Sequence, residues 1–150
     1  MKTNEKILVS ACLAGINCKY DGGNNEHQKI IDLINSKDVI LVCPEQLGGL
    51  KTPRPAAERL GNKVVTKEQI DVTKEYKKGA AEVLTIAKKF NIKKAILKSR
   101  SLSCGIKEIY DGTFSHNLIR GDGITAELLK KNGIEVISSD DYISKQKYIE

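Results

Sequence analysis

The chain opens on a short apolar run, ILVSA at residues 7–11, which ends directly at Cys12. The same pattern recurs in VILV at residues 39–42, which is followed by Cys43. A third run, KKAIL at residues 93–97, leads into a polar loop that contains Cys104. Apolar runs of this length that are bounded by polar residues are typical of buried strands. Because the loops after parallel strands gather at one edge of a sheet, we expect these distant cysteines to meet there.

Helical patterns separate the predicted strands. Apolar residues recur at helical spacing over residues 26–36 and about 74–90, and a third helix starts at residue 123 and ends at Gly133. The last strand is predicted over 134–137, with a small edge strand at Val64 and Val65 and an extended piece over 109–113. The alternation predicts one α/β domain over residues 1–150, a layered, Rossmann-like fold with a mainly parallel sheet and helices on both faces.

Composition narrows the class of protein. The chain has 150 residues, enough for one domain, and no apolar run long enough to span a membrane. Residues 1–6 lack the apolar core of a signal peptide, so we expect a cytoplasmic protein. Thiols stay reduced in that compartment, so the four cysteines are interpreted as metal-binding or catalytic. The net charge of +6 is spread over lysines on predicted helix surfaces, and with few aromatic residues this disfavours a nucleic-acid partner.

The spacing of the cysteines favours a cluster over a single zinc ion. Structural zinc sites usually carry local cysteine pairs at short spacing. Cys12 and Cys18 are too far apart for such a pair, and Cys43 and Cys104 stand singly. Three or four distant thiolates suit an iron–sulfur cluster. Cys18 is the weakest candidate, because it lies inside a longer loop.

Polar residues of the loops are candidates for chemistry. Glu45 lies two residues after Cys43 and is a candidate general acid or base. Arg54 lies between two prolines. Its two possible roles are an ion pair with Glu58 and a contact with the substrate. The loop before Cys104 is rich in hydrogen-bond donors: Lys98, Ser99, Arg100, Ser101 and Ser103. No Walker motif and no Gly-x-Gly-x-x-Gly after a strand is present, which disfavours those nucleotide-binding folds.

Several blocks of the sequence resemble the thiouracil desulfidase family. The first is VSACLAG at 9–15 with CKYDG at 18–22, and the second is CPEQLGGL at 43–50 with PRPAAE at 53–58. The third is KSRSLSCG at 98–105 with YDGTF at 110–114, and the last is GDGITA at 121–126. The blocks follow one another over nearly the whole chain. Ala14, Ala56 and Leu102 depart from residues that are common in the family.

The resemblance implies a [4Fe–4S] cluster held by three cysteines, with a fourth iron open to the sulfur of a thiolated pyrimidine such as 2- or 4-thiouracil. The implied ligands are Cys12, Cys43 and Cys104. Glu45 is implied to activate water and Ser101 to donate a hydrogen bond to the ring. Ser103, Arg54 and Lys98 are candidates for substrate binding. Water then replaces sulfur, hydrosulfide leaves, and no electrons are transferred.

Two other functions are compatible with the sequence. One is a modifier of thiolated tRNA, which only the net positive charge supports. The other is a non-catalytic metal- or cluster-binding protein, in which all four cysteines would bind. The sequence leaves open the natural substrate, the role of Cys18 and the oligomeric state.

Overall fold

Four parallel strands build the central sheet in a computed structural model that describes residues 5–145. They are β1 (Lys6–Ser10), β2 (Asp38–Val42), β5 (Lys94–Leu97) and β8 (Glu135–Ser138), numbered in chain order. Their order across the sheet is β2-β1-β5-β8, and Ile7 of β1 lies opposite Val39 on one side and Lys94 on the other. All four strands were predicted from the apolar runs, with ends displaced by one residue.

Helices cover both faces of this sheet, as predicted. They are α1 (Gln28–Ser36), α3 (Thr73–Lys89), α4 (Ile124–Lys131) and α5 (Ser139–Lys145). Alternate residues of β1 point to opposite faces. Leu8 joins the core that includes Val83 of α3 and Leu129 of α4, whereas Ile7 joins the core that includes Ile30 of α1. The α/β layered fold with helices on both faces is therefore confirmed.

Two hairpins lie outside the central sheet. The first pairs β3 (Ala57–Leu60) with β4 (Lys63–Thr66), and the second pairs β6 (Glu108–Tyr110) with β7 (Leu118–Arg120). The small edge strand predicted at Val64 and Val65 is β4, whose antiparallel partner β3 is the neighbouring segment of the chain. The extended piece predicted at Ile109 lies in β6.

The chain order of the strands reverses between β1 and β5, and in sheets of this kind a crevice opens at that point. Three segments surround the crevice at the carboxyl ends of the strands. They are a 3-10 helix (Ala11–Ala14) after β1, a one-turn helix α2 (Pro44–Leu47) after β2, and the loop 98–107 after β5.

A close backbone contact fixes α2 against α3. The amide nitrogen of Gly48 and the carbonyl of Pro44 lie so near Gly79 that a Cβ atom there would overlap the Pro44 oxygen. A Cβ atom on Gly48 would in turn overlap the backbone carbonyl of Glu75. Two glycines therefore let the turn that carries Cys43 and Glu45 rest directly on the helix backbone.

Within residues 5–145, no helix is long and apolar enough to cross a membrane. The expectation for the N-terminus concerns Met1 to Asn4, which lie outside the described residues.

Candidate active site

All four cysteines line one cavity of about 570 Å³ at the carboxyl edge of the sheet. Cys12, Cys18 and Cys104 are buried and Cys43 is half-buried, and all four are free thiols. Cys12 and Cys43 are close enough to Cys104 for each charge to raise the pKa of its thiol. The convergence predicted from three separate loops is thus present in the fold.

Each cysteine is positioned by the end of a strand. Cys12 lies in the 3-10 helix that follows β1, and its carbonyl oxygen accepts a hydrogen bond from the Gly15 amide. Cys43 is the N-cap of α2, directly before Pro44, whose fixed φ suits the first helical position. Cys104 follows β5, and its amide donates to the hydroxyl of Ser101 at 3.0 Å.

Burial makes two of these thiols poor anions on their own. Desolvation is the main cause that raises the pKa of Cys12 and of Cys104 above the ordinary thiol value. The Cys43 thiol donates to the Cys18 carbonyl at 3.7 Å, and the proximity of the two residues lowers the pKa of the Cys43 thiol and raises that of the Cys18 thiol. Buried thiols that gather in a polar-lined cavity fit a positively charged metal centre, because coordination to a metal deprotonates a thiol outright.

Within residues 5–145, no three His, Cys, Asp or Glu side chains are close enough to bind one metal ion. The ligands of a cluster bind different irons, so they stand farther apart than the ligands of a single metal ion.

Glu45 and Arg54 form an ion pair at the cavity wall, with 3.6 Å between Arg54 Nη2 and Glu45 Oε2. The side chains are 5% and 16% exposed for Arg54 and Glu45 respectively, so water screens the pair weakly. Burial raises the pKa of Glu45, and the nearby Arg54 charge opposes the shift. The possible pairing of Arg54 with Glu58 was wrong, because Arg54 turns inward toward Glu45 and the Cys18 carbonyl.

Ser101 is held so that its hydrogen atom is available. Its hydroxyl oxygen accepts hydrogen bonds from the amides of Ser103 at 3.1 Å and Cys104 at 3.0 Å. With both lone pairs engaged, the hydroxyl acts as a donor. Ser101 also lines the cavity, so a group bound there is within reach of this donor.

Two other predicted substrate contacts differ in placement. Lys98 lines the cavity, half-buried, and its Nζ donates to the Ser99 carbonyl at 2.9 Å. Ser103 is fully buried, and its hydroxyl lies 2.9 Å from that of Thr125 in α4. The Ser103 carbonyl accepts from the amides of Thr125 and Ala126, which ties the cysteine loop to α4.

The loop 111–117 between β6 and β7 places aromatic side chains at the same cavity. Phe114 and His116 of this loop line it, together with Tyr110 at the end of β6. Glu58 Oε1 accepts from the amides of Gly112 at 3.0 Å and Phe114 at 3.2 Å. Glu58 therefore clamps this loop instead of pairing with Arg54.

Several residues at the site escaped sequence reasoning. Asn25 donates from Nδ2 to Cys12 Sγ at 3.6 Å, and Ser10 and Tyr76 of α3 line the cavity. Asn25 follows the glycine-bearing loop after Cys18, and that loop was the one available signal. Ser10 and Tyr76 lie in segments that read only as core.

Fold and site together define a class: a doubly wound α/β domain with thiols gathered at the switch point of its sheet. The chain belongs to the 2-thiouracil desulfurase family, whose sequence model matches residues 7–141. It is 46% identical to the uncharacterized protein YbbK of Bacillus subtilis (strain 168), a match that covers 90% of this chain and 96% of YbbK.

A solved structure described as the [4Fe–4S]-dependent thiouracil desulfidase TudS is also similar. It shares 42% sequence identity with a TM-score of 0.88, and the match covers 93% of this chain and 94% of that one. The family predicted from the sequence blocks is confirmed, and so is the fold. The predicted class of enzyme and the predicted cluster agree with these relatives.

Proposed function

We propose that this chain replaces the sulfur of a thiolated pyrimidine with oxygen from water, using a [4Fe–4S] cluster held by Cys12, Cys43 and Cys104. Family membership and the similar structure support the desulfuration of thiouracil and the cluster. The observation that carries the residue assignment is the meeting of these three thiols with Glu45 and Ser101 in one cavity.

The reaction balances without electron transfer. A thiocarbonyl carbon and water give a carbonyl carbon, hydrosulfide and a proton, so the ring carbon keeps its oxidation state. When bound by three cysteines, the cluster would supply an open iron, a Lewis acid with affinity for soft sulfur. The protein must still bind the ring, deprotonate water and protonate the departing groups.

Glu45 is our candidate for the proton transfers. Burial raises the pKa of its carboxyl, which brings a carboxylate closer to the range where a general base works well. Arg54 holds the carboxylate in place from one side. The Cys43 thiol lies 4.0 Å from Glu45 Oε1, so the proposed base stands beside a proposed cluster ligand.

Ser101 is our candidate for a donor to the ring. Its hydroxyl is oriented by two backbone amides before any substrate arrives. A preorganised donor stabilises the negative charge that develops on a ring nitrogen or oxygen when water attacks.

Arg54 and Lys98 complete the proposed substrate contacts. Arg54 lines the cavity, and its guanidinium can donate a hydrogen bond to a pyrimidine oxygen bound there. Ser103 now has a structural role in the proposal, because its hydroxyl is engaged with Thr125 deep in the core.

The aromatic residues of loop 111–117 give the flat ring a surface to pack against. Aromatic rings stack on pyrimidines through offset contacts. Phe114 is half-buried at the cavity and is fixed by the hydrogen bond from its amide to Glu58. We infer that this loop covers the bound substrate.

The test is an anaerobic assay of reconstituted protein with 2-thiouracil and 4-thiouracil, which follows hydrosulfide release and loss of thiocarbonyl absorbance. We expect Glu45→Gln to lower kcat by about 10²–10⁴-fold and Ser101→Ala by about 10²-fold, with cluster absorbance unchanged. Fully loaded protein that releases no hydrosulfide from either compound would overturn the proposal and favour a storage or sensing role.

The remaining alternatives have their own readouts. A modifier of thiolated tRNA would act faster on tRNA than on the free base and would lose activity steeply with salt, because phosphate contacts release counterions. A non-catalytic binding protein would need Cys18 as well as the other three cysteines. The cytoplasmic location stays a prediction, checked by cell fractionation, and the oligomeric state by light scattering.

A further inference from the structure

The sulfur atom of Cys12 has a hydrogen-bond donor of its own. Asn25 Nδ2 lies 3.6 Å from Cys12 Sγ, a normal separation for an N–H···S contact. The backbone amide of Asn25 also donates to the Cys12 carbonyl at 2.8 Å. Asn25 is therefore attached to Cys12 through both main chain and side chain, although the two residues lie far apart in sequence.

The other two proposed ligands also have polar neighbours, but of a different kind. The Cys43 thiol donates to the Cys18 carbonyl oxygen at 3.7 Å and lies 4.0 Å from Glu45 Oε1. The amide of Cys104 donates to the Ser101 hydroxyl at 3.0 Å. The Cys12 sulfur, by contrast, accepts a hydrogen bond from a side chain.

We propose that Asn25 is a positioning residue for the cluster, whose side-chain amide donates to the Cys12 thiolate and draws electron density from that ligand. The inference rests on the proposed function, because Cys12 must be a ligand.

A donor at a ligand sulfur has a definite electronic effect. Hydrogen bonds to the sulfurs are among the factors that set the potential of an iron–sulfur cluster. A thiolate that shares its lone pair with an N–H group donates less to iron, and iron that receives less charge is a stronger Lewis acid toward substrate sulfur. Although the reaction transfers no electrons, the midpoint potential therefore reports the acidity that the reaction uses.

Substitution of the side chain isolates this effect. The amide that anchors Asn25 to the Cys12 carbonyl belongs to the backbone, so Asn25→Ala keeps the anchor and removes only the N–H···S contact. Asn25→Asp has nearly the same shape, but it replaces the donor with a carboxylate that repels the thiolate. Asn24→Ala is the matched control, because Asn24 Nδ2 bonds to Asn17 Oδ1 at 2.8 Å in an exposed position.

The experiment is an anaerobic redox titration of the reconstituted holoprotein without substrate, followed by cluster absorbance and electron paramagnetic resonance. We expect the midpoint potential to shift to more negative values in Asn25→Ala and further in Asn25→Asp, with Asn24→Ala unchanged. The rate of iron release to a chelator should rise in the same order.

A fully loaded Asn25→Ala protein with the wild-type potential would overturn the inference, as would an equal shift in Asn24→Ala. If Asn25→Ala does not assemble a cluster, Asn25→Gln decides: it keeps an amide donor, so its potential must lie nearer to wild type than that of Asn25→Asp. A cluster that persists in Cys12→Ala would instead contradict the assignment of Cys12 as a ligand. This result distinguishes failure of the proposed function from failure of the inference about Asn25.

Discussion

The two edges of the central sheet are built differently. At the carboxyl edge, residues 11–27 separate β1 from α1, residues 43–72 separate β2 from α3, and residues 98–123 separate β5 from α4. At the amino edge, Lys37 alone separates α1 from β2, and residues 90–93 separate α3 from β5. The long connections hold all four cysteines and the cavity, whereas the short ones are mostly exposed. Substitutions at the carboxyl edge should therefore change chemistry, and those at the amino edge only stability.

The largest effect is expected from the proposed ligands. Cys12→Ala, Cys43→Ala or Cys104→Ala should abolish cluster assembly and reduce hydrosulfide release to background, because a cluster needs each of the three thiolates. Iron and acid-labile sulfide analysis checks this directly. Cys18→Ser is the matched control, since the Cys18 carbonyl that accepts from the Cys43 thiol belongs to the backbone and is kept. This variant should keep about four iron atoms per chain. A cluster that survives loss of Cys12, Cys43 or Cys104 but not of Cys18 would reverse the assignment.

Two glycine-to-alanine substitutions compare the carboxyl and amino edges of the sheet, because each adds a single methyl group. Gly79→Ala would normally stabilise a helix by about 1 kcal/mol. Here the added methyl overlaps the Pro44 carbonyl, and overpacking costs about 1–3 kcal/mol. We expect a lower melting temperature together with poor cluster loading, because the turn with Cys43 and Glu45 must move.

Gly133, after α4 at the amino edge, has a φ of +80° and open space around it. Gly133→Ala should cost about 1 kcal/mol from backbone strain and leave cluster loading and activity unchanged. Equal loss of cluster in the two variants would mean that the edges are not functionally distinct.

A moderate effect is expected from the clamp on loop 111–117. Glu58→Ala removes the acceptor for two amides, so the loop with Phe114 loosens and KM should rise about tenfold, with kcat less affected. Glu58→Gln keeps an acceptor oxygen and should restore most of the affinity. Glu108→Ala, an exposed glutamate on the same hairpin, is the control. A fall in kcat without a change in KM would argue against a substrate-covering loop.

The smallest effect is expected at the amino edge. Lys6 Nζ and Asp38 Oδ2 are 3.9 Å apart at the starts of β1 and β2, with side chains 32% and 36% exposed. Exposed ion pairs contribute little, so Asp38→Asn should change the free energy of unfolding by less than about 0.5 kcal/mol. Chemical denaturation measures this, and any loss of cluster in this variant would contradict the separation of the edges.

Local patterns predicted the parts of the fold that depend on local physics. The inner strands β1 and β5 are nearly continuous apolar runs, since both of their faces are buried, and α3 shows a clear stripe that includes Ala80 and Val83. The strands of the hairpins were harder to predict from the sequence. Every residue of β7 is exposed, so β7 shows no alternation of apolar and polar residues. The strand β3 depends on its pairing with β4. The single turn α2 depends on Gly79, a residue of another helix.

The candidate site divides in the same way into features that local sequence predicts and features that depend on distant contacts. Each cysteine was recognised by its position after a strand, and family resemblance added the roles of Glu45 and Ser101. The partner of Arg54, the clamp by Glu58 and the donor Asn25 depend on contacts between residues distant in sequence, and no periodicity encodes them.

The central claim is that three cysteines hold the cluster and leave one iron open to substrate. The most direct measurement is a Mössbauer spectrum of protein reconstituted with the active iron isotope, recorded with and without thiouracil. We expect one iron that differs from the other three and whose signal shifts when thiouracil is added, in wild type and in Cys18→Ser alike. Four equivalent irons that do not respond to thiouracil would contradict it.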